Sequence, residues 1–210
     1  MIEDFIVPAK SAKDIEAKAL AWRDALGISE AWAPNLVDLV ETKLPKIFSH
    51  FALVVRPNDE MGDAEAYTEF NPPIIVVRES VYWQGKRNDG RAQMTFAHEF
   101  GHLVLHPGAS KPRMESGNFS RVQLRPFESA EWQARKFAAY FLLPEHIVRQ
   151  FSTLRELSEC CHVSYQAAEI RFAEVAHIKK TTPACVDELI KATSEAHHQK
   201  SNLTLVKKEP

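Results

Sequence analysis

Two histidines and a glutamate in the stretch Ala97-His98-Glu99-Phe100-Gly101-His102 have the types and spacing needed for hydrolysis. If the stretch is helical, His98 and His102 share one face, where both imidazoles can hold a single metal ion. Glu99 sits just off that face. A metal held by two histidines with an open position lowers the pKa of a bound water toward neutrality. Glu99 can then take the water's proton and later pass it to a leaving amine. With nine His in 210 residues the bare pattern is a weak signal, and its setting strengthens it. The surrounding run reads as helix from about Ala92 to Leu105, and Pro107 stops it. Gly101 costs helix stability but lets another element approach closely.

A catalytic metal of this kind needs a third protein ligand. The segment from Pro126 to Leu143 reads as a helix with an apolar stripe of Ala130, Ala134, Phe137, Ala138, Phe141 and Leu142. Glu131 lies at the edge of that stripe, and the small Ala134 and Ala138 would let the helix press on Gly101. Spacing alone leaves Glu131 in competition with Glu128 and His106. His106 continues the four-residue spacing, but eight residues from His98 its face has turned by about 80°. It is expected at the helix end, supporting a ligand from behind, with the nearby helix C-terminus favouring its protonated form. The group that holds the developing oxyanion is left open among Tyr140, Tyr82, Arg91 and His106.

These residues must be positioned by the rest of the chain, whose composition is that of an ordinary globular protein, 45% hydrophobic and 26% charged. The net charge of −2 gives no global signal for nucleic acid. No apolar run approaches bilayer length. The N-terminus, Met1-Ile2-Glu3-Asp4-Phe5, lacks the basic and apolar regions of a secretory signal. Three cysteines, two of them the adjacent Cys160 and Cys161, read as reduced thiols in a cytoplasmic protein, and they are too few for a Cys₄ zinc site.

In chain order, residues 11 to 26 predict an amphipathic helix through Ile15, Ala19, Trp22 and Leu26, capped by Ser11 and ended by Gly27. A second helix is predicted from Pro34 to about Thr42, closed by Pro45. Strands are predicted at 51–55, at 65–70 and, most strongly, at Pro73-Ile74-Ile75-Val76-Val77-Arg78. The continuous apolar run of the last suggests burial on both faces. A further short strand is expected at Val81-Tyr82-Trp83, followed by a polar turn from Gln84 to Gly90. Trp83 and Trp132 read as core. After Pro107 an irregular loop with Lys111, Arg113, Arg121 and Arg125 could rim a cleft and meet an acidic substrate.

Leu154 to Cys160 reads as a short helix. His162-Val163-Ser164 reads as a turn, and Tyr165 to about Ala176 as a second helix with Ala168, Phe172 and Val175 facing in. This is a helix-turn-helix shape. Its second helix offers only Arg171, beside Glu169 and Glu174, so direct DNA binding is not expected. A last helix is expected from Val186 to Ala196, then a polar tail with His197, His198, Lys207 and Lys208.

The stretch His98-Glu-Phe-Gly-His102 is preceded by Arg91 and Thr95-Phe96-Ala97. It is followed by Glu131-x-x-Ala134-x-x-Phe137-Ala138-Ala139-x-Phe141-Leu142-Leu143-Pro144. Together these resemble the ImmA/IrrE metallopeptidases, specifically over residues 73 to 144. The resemblance implies His98, His102 and Glu131 as ligands of one zinc ion per chain, with Glu99 as catalytic base. Arg135 stands where the family often has Asn. The expected fold is α+β, a small mixed sheet carrying zincin-like active-site helices, with N-terminal helices and a C-terminal helix-turn-helix-like subdomain. The expected divisions are 1–144, 145–180 and 181–210. The resemblance implies a zinc endopeptidase that cleaves a helix-turn-helix repressor, or alternatively an antitoxin. Residues 73 to 78 are separately expected to form an edge strand that holds extended substrate. The alternatives are a non-enzymatic regulator or toxin/antitoxin-type partner acting through the helix-turn-helix-like unit, and a hydrolase of non-peptide bonds. No membrane partner is expected, and the oligomeric state stays open.

Overall fold

The computed structural model describes residues 4–107 and 125–181. The chain divides into two compact units, residues 1–169 and 170–210, and the described part of the second is the end of one helix. The architecture is α+β, with helices around a small three-stranded mixed sheet.

Helix α1 (Ala12–Ala25) begins where the sequence places it, with a capping box between Ser11 and Asp14. It ends on Gly27, whose φ of +69° suits a residue without a Cβ. Ile28 N then donates to Arg23 O and Gly27 N to Asp24 O. Helix α2 (Leu36–Thr42) is capped by Asn35, so Pro34 lies just before the cap. Pro45 does not end the helical region. It sits in the first turn of a separate short helix α3 (Leu44–Ile47), where its missing N–H costs nothing.

The strands are β1 (Ala52–Arg56), β2 (Ala66–Phe70) and β3 (Pro73–Arg78), in the order β1-β3-β2. β3 pairs in parallel with β1 (Ala52 opposite Ile74) and antiparallel with β2 (Phe70 opposite Pro73). The reading of 73 to 78 as an edge strand is therefore corrected: β3 is central. Ile75, Val76 and Val77 are buried in succession, so both faces of the strand are covered, as its unbroken apolar run requires.

The segment read as a fourth strand is a helix, α4 (Glu79–Lys86). Its β-prone residues are overridden by packing and pairing. Val81 is buried, and Gly85 lies so close to α2 that an added Cβ would sit 2.5 Å from Val37 Cγ2. Tyr82 Oη donates to Glu41 Oε1 at 2.7 Å, and Lys86 Nζ contacts Asp38 and Glu41 at 2.7 and 3.0 Å. Trp83 is 50% exposed, not core, because the buried face of α4 is taken by Val81 and Gly85.

Helix α5 (Gly90–Leu105) is the centre of the fold. It buries residues on nearly every side, as its high apolar content demands. It packs on β2 and against helix α6 (Ala130–Leu142), while α1 packs on α6. The core between these helices is aromatic: Phe100 meets Phe137 and Phe141 edge-on at 5.6 and 5.5 Å, and Trp22 meets Phe100 at 5.2 Å. At Gly101 the backbone of α6 comes close. A Cβ there would stand 3.1 Å from both Ala134 O and Phe137 Cδ1. A Gly101→Val protein is expected to lose about 1–3 kcal/mol through overpacking, read as a lowered thermal midpoint. An unchanged midpoint would show that α6 can yield there.

Beyond α6 lie helices α7 (Glu145–Val148), α8 (Leu154–Cys161) and α9 (Tyr165–Thr181). α8 is capped by Thr153 and ends on His162 in the left-handed region, and Ser164 caps α9, as the sequence suggested. α9 runs past Ala176. The last predicted helix, from Val186 to Ala196, and the polar tail lie outside the described residues.

Candidate active site

Asp89 opens α5: its Oδ1 accepts from Arg91 N and Ala92 N, both at 3.0 Å. From that start His98 and His102 fall on one face, with their Nε2 atoms 3.1 Å apart. α6 is opened by Ser129, whose Oγ accepts from Trp132 N at 2.9 Å and donates to Asp4 Oδ2 at 2.6 Å. Glu131, in the first turn, donates its backbone N–H to Asp4 Oδ1 at 3.1 Å. This geometry points the Glu131 carboxylate at the histidine pair. Its Oε2 lies 3.2 Å from His98 Nε2 and its Oε1 lies 3.2 Å from His102 Nε2.

His98, His102 and Glu131 thus offer three donor atoms all within 4.8 Å of one another, and neither Glu128 nor His106 belongs to this group. Two imidazole nitrogens and a carboxylate oxygen that converge in a mostly buried place fit a divalent metal of the zinc type. Burial alone would raise the pKa of Glu131, but the contacts to His102 and His98 outweigh it and hold the carboxyl well below its usual range.

Glu99 is buried, and Thr68 on β2 touches it: Thr68 Oγ1 lies 2.7 Å from Glu99 Oε2 and 3.1 Å from Glu99 O. A hydroxyl donating to the carboxylate fixes its rotation. Sequence reasoning missed Thr68, because nothing in a strand sequence marks which residue faces a helix carboxylate.

His106 ends α5 as its cap residue. Its Nδ1 is 3.3 Å from His102 Nδ1 and its Nε2 is 3.1 Å from Gln133 Oε1. The expectation of a protonated ring is corrected. Burial, helped by the neighbouring His102, pulls its pKa down to about 4, which outweighs the helix end. Gln133, fully buried, was also missed, although an amide beside the apolar stripe of α6 was a signal that it must have partners. Phe5, from the N-terminal arm, stacks on the His102 ring at 6.3 Å and meets His106 edge-on at 5.9 Å. That arm is tied to the start of α6 by Val7 N to Glu128 O, Lys10 N to Phe127 O and Ala130 N to Phe5 O.

The other oxyanion candidates are placed elsewhere. Arg91 has a 79% exposed side chain paired with Glu65, and it lies about 10 Å along α5 from His98. Tyr82 is engaged with Glu41 on α4. Tyr140 lies nine residues beyond Glu131, which is half a rotation and about 13 Å along α6. It is buried, with Lys136 Nζ 5.7 Å from its ring. Lys111, Arg113 and Arg121 lie outside the described residues, and Arg125 is exposed. Burial pushes the Cys161 thiol up to about 12, away from the reactive thiolate form.

Compared with known protein families, residues 50–173 match Peptidase_M78, the IrrE N-terminal-like domain. No curated protein matches the chain. The matched stretch covers more than half of the sequence and contains His98, Glu99, His102 and Glu131. A hydrolase domain with a His-His-Glu group able to hold a metal places the chain in one class: it belongs to the IrrE N-terminal-like peptidase family and is a metallopeptidase of the IrrE/ImmA type.

Proposed function

We propose that this protein is a zinc-dependent endopeptidase that cleaves a helix-turn-helix transcriptional repressor and thereby relieves repression. The observation that carries the reading is the convergence of His98, His102 and Glu131, contributed by two helices. These residues would hold one zinc ion. Zinc bound there would supply Lewis-acid polarisation of a peptide carbonyl and of water.

The chain's own residues then do the rest. Thr68 holds Glu99 Oε2, leaving Oε1 to take the proton of the attacking water and to return it to the leaving amine. β2, not β3, is the strand that could hold substrate. Among the described residues it is an edge of the sheet, it packs on α5, and it carries Thr68. An extended peptide pairing with its outer edge would lie beside the helix that bears Glu99.

The partner is read as a protein and not DNA. Arg171, the cation that the span 165–176 offers a recognition helix, is buried and contacts Glu174 Oε2 at 3.2 Å. No described helix is long and apolar enough to cross a membrane. The free thiols of Cys160 and Cys161 fit a reducing, cytoplasmic setting.

Metal content of the purified protein is the direct test. Wild type is expected to carry about one zinc per chain, and Glu131→Ala to lose most of it, because two histidines alone make a weak site. Full retention in the variant would mean another third ligand. No zinc in the wild type, even after it is added back, would sink the enzyme and favour a regulator that acts through α8 and α9.

A further inference from the structure

We infer that Gln133 and His106 form a relay that sets which nitrogen of His102 carries the proton, so that a bare Nε2 lone pair is presented to the metal site. The argument starts from the amide. Gln133 is fully buried, and its Nε2 donates to Pro8 O at 2.9 Å and Phe127 O at 2.8 Å. Carbonyls only accept, so the amide nitrogen must face them. The opposite orientation would set Oε1 against two carbonyl oxygens. Gln133 Oε1 is thereby turned toward His106 Nε2, 3.1 Å away.

An amide oxygen also only accepts, so the proton of the neutral His106 ring sits on Nε2. Its Nδ1 is then a lone pair, 3.3 Å from His102 Nδ1. A hydrogen bond across that gap requires His102 to be the donor. With its proton on Nδ1, His102 has Nε2 free to coordinate when a metal is bound; in the metal-free protein Glu131 Oε1, 3.2 Å from that atom, only accepts and competes for the proton. Metal binding requires that nitrogen bare, and a hydrogen bond on the far side of a ligating imidazole both selects the tautomer and orients the ring. Phe5 covers both rings, which keeps water from competing for the shared proton. Gln133 and His106 are positioning residues that act through His102. Phe5 and Pro8 belong to the arm that precedes the family-matched stretch, so the relay is completed by residues outside that match.

The inference rests on the metal reading above, and its test separates the two. Two-bond proton–nitrogen NMR correlations of isotope-labelled wild-type protein should show His106 protonated on Nε2 with and without zinc, and His102 protonated on Nδ1 once zinc is added. A proton on His106 Nδ1 would overturn the relay, whatever the protein binds. Zinc affinity of Gln133→Met, measured by competition with a chelator, should fall about 10–100-fold. An unchanged affinity in a folded variant would also overturn it. If Gln133→Met does not fold, the wild-type spectrum decides alone. Failure of the wild type to bind zinc would remove the metal reading, and the spectrum would still decide the His106 tautomer.

Discussion

A Glu99→Gln protein is expected to bind zinc and keep its fold yet lose peptide cleavage, with the rate down by about a hundred- to ten-thousand-fold. The substitution is nearly isosteric, and the amide oxygen can still accept from Thr68 Oγ1, which reaches Oε2 at 2.7 Å in the native protein. The buried packing between α5 and β2 is therefore preserved. What disappears is the one carboxylate on α5 that can take a proton beside the histidine pair without itself ligating. The measurement is cleavage of a candidate repressor by gel, beside metal content and a melting curve for each protein. Retained cleavage with full metal would remove Glu99 from the mechanism. A loss of metal or fold together with cleavage would make the carboxylate structural. If the protein is a regulator acting through its helix-turn-helix-like unit, its effect on transcription should survive the substitution untouched.

Arg23→Leu is expected to give a large loss of stability, on the order of 3–5 kcal/mol, or roughly 10 °C in the thermal midpoint of a chain this size. Arg23 looks like a surface residue in the sequence of α1, yet it is fully buried. Its Nη1 donates to Phe141 O at 2.7 Å, and its Nη2 reaches the carbonyls of Ile28, Ser29 and Ala31. Burial lowers its pKa to about 10, offset in part by Cys161 and Glu30, so it is still charged at neutral pH. The guanidinium satisfies the last turn of α6 and the loop after α1 at once, and leucine would strand those acceptors in the interior. Arg23→Lys should recover only part of the loss, since an ammonium cannot span the same carbonyls. A melting midpoint within a degree or two of wild type for the leucine variant would show that water or repacking replaces the fork.

The contrast between these two residues marks how far the sequence reaches. Glu99 is legible because the role proposed for it follows from local periodicity: a four-residue spacing places His98 and His102 together whatever surrounds the helix. The same local rules locate α1 with its Ser11 cap and Gly27 end, the histidine helix, the glutamate helix and the three strands. They also bring Glu131 into consideration, since its apolar stripe shows which face is buried. They fail at Val81 to Trp83, where tertiary packing overrides β propensity, and at Pro45, which opens a helix instead of closing one. They also fail at the rank of β3 in the sheet, because a run buried on both faces does not say which strands lie beside it.

By itself, then, the sequence determined the His98–Glu99–His102 constellation, the helices that bear the site and the family, while Glu131 was one of three candidates until the resemblance singled it out. Only the tertiary structure decided what holds those donors in place. Thr68 meets Glu99 across 31 residues, Gln133 meets Pro8 across 125, and Arg23 meets Phe141 across 118. Contacts of that range have no period to read. They arise when buried polar groups on separate elements must find partners away from water, and that demand is met only once the helices, the sheet and the N-terminal arm have closed around one another.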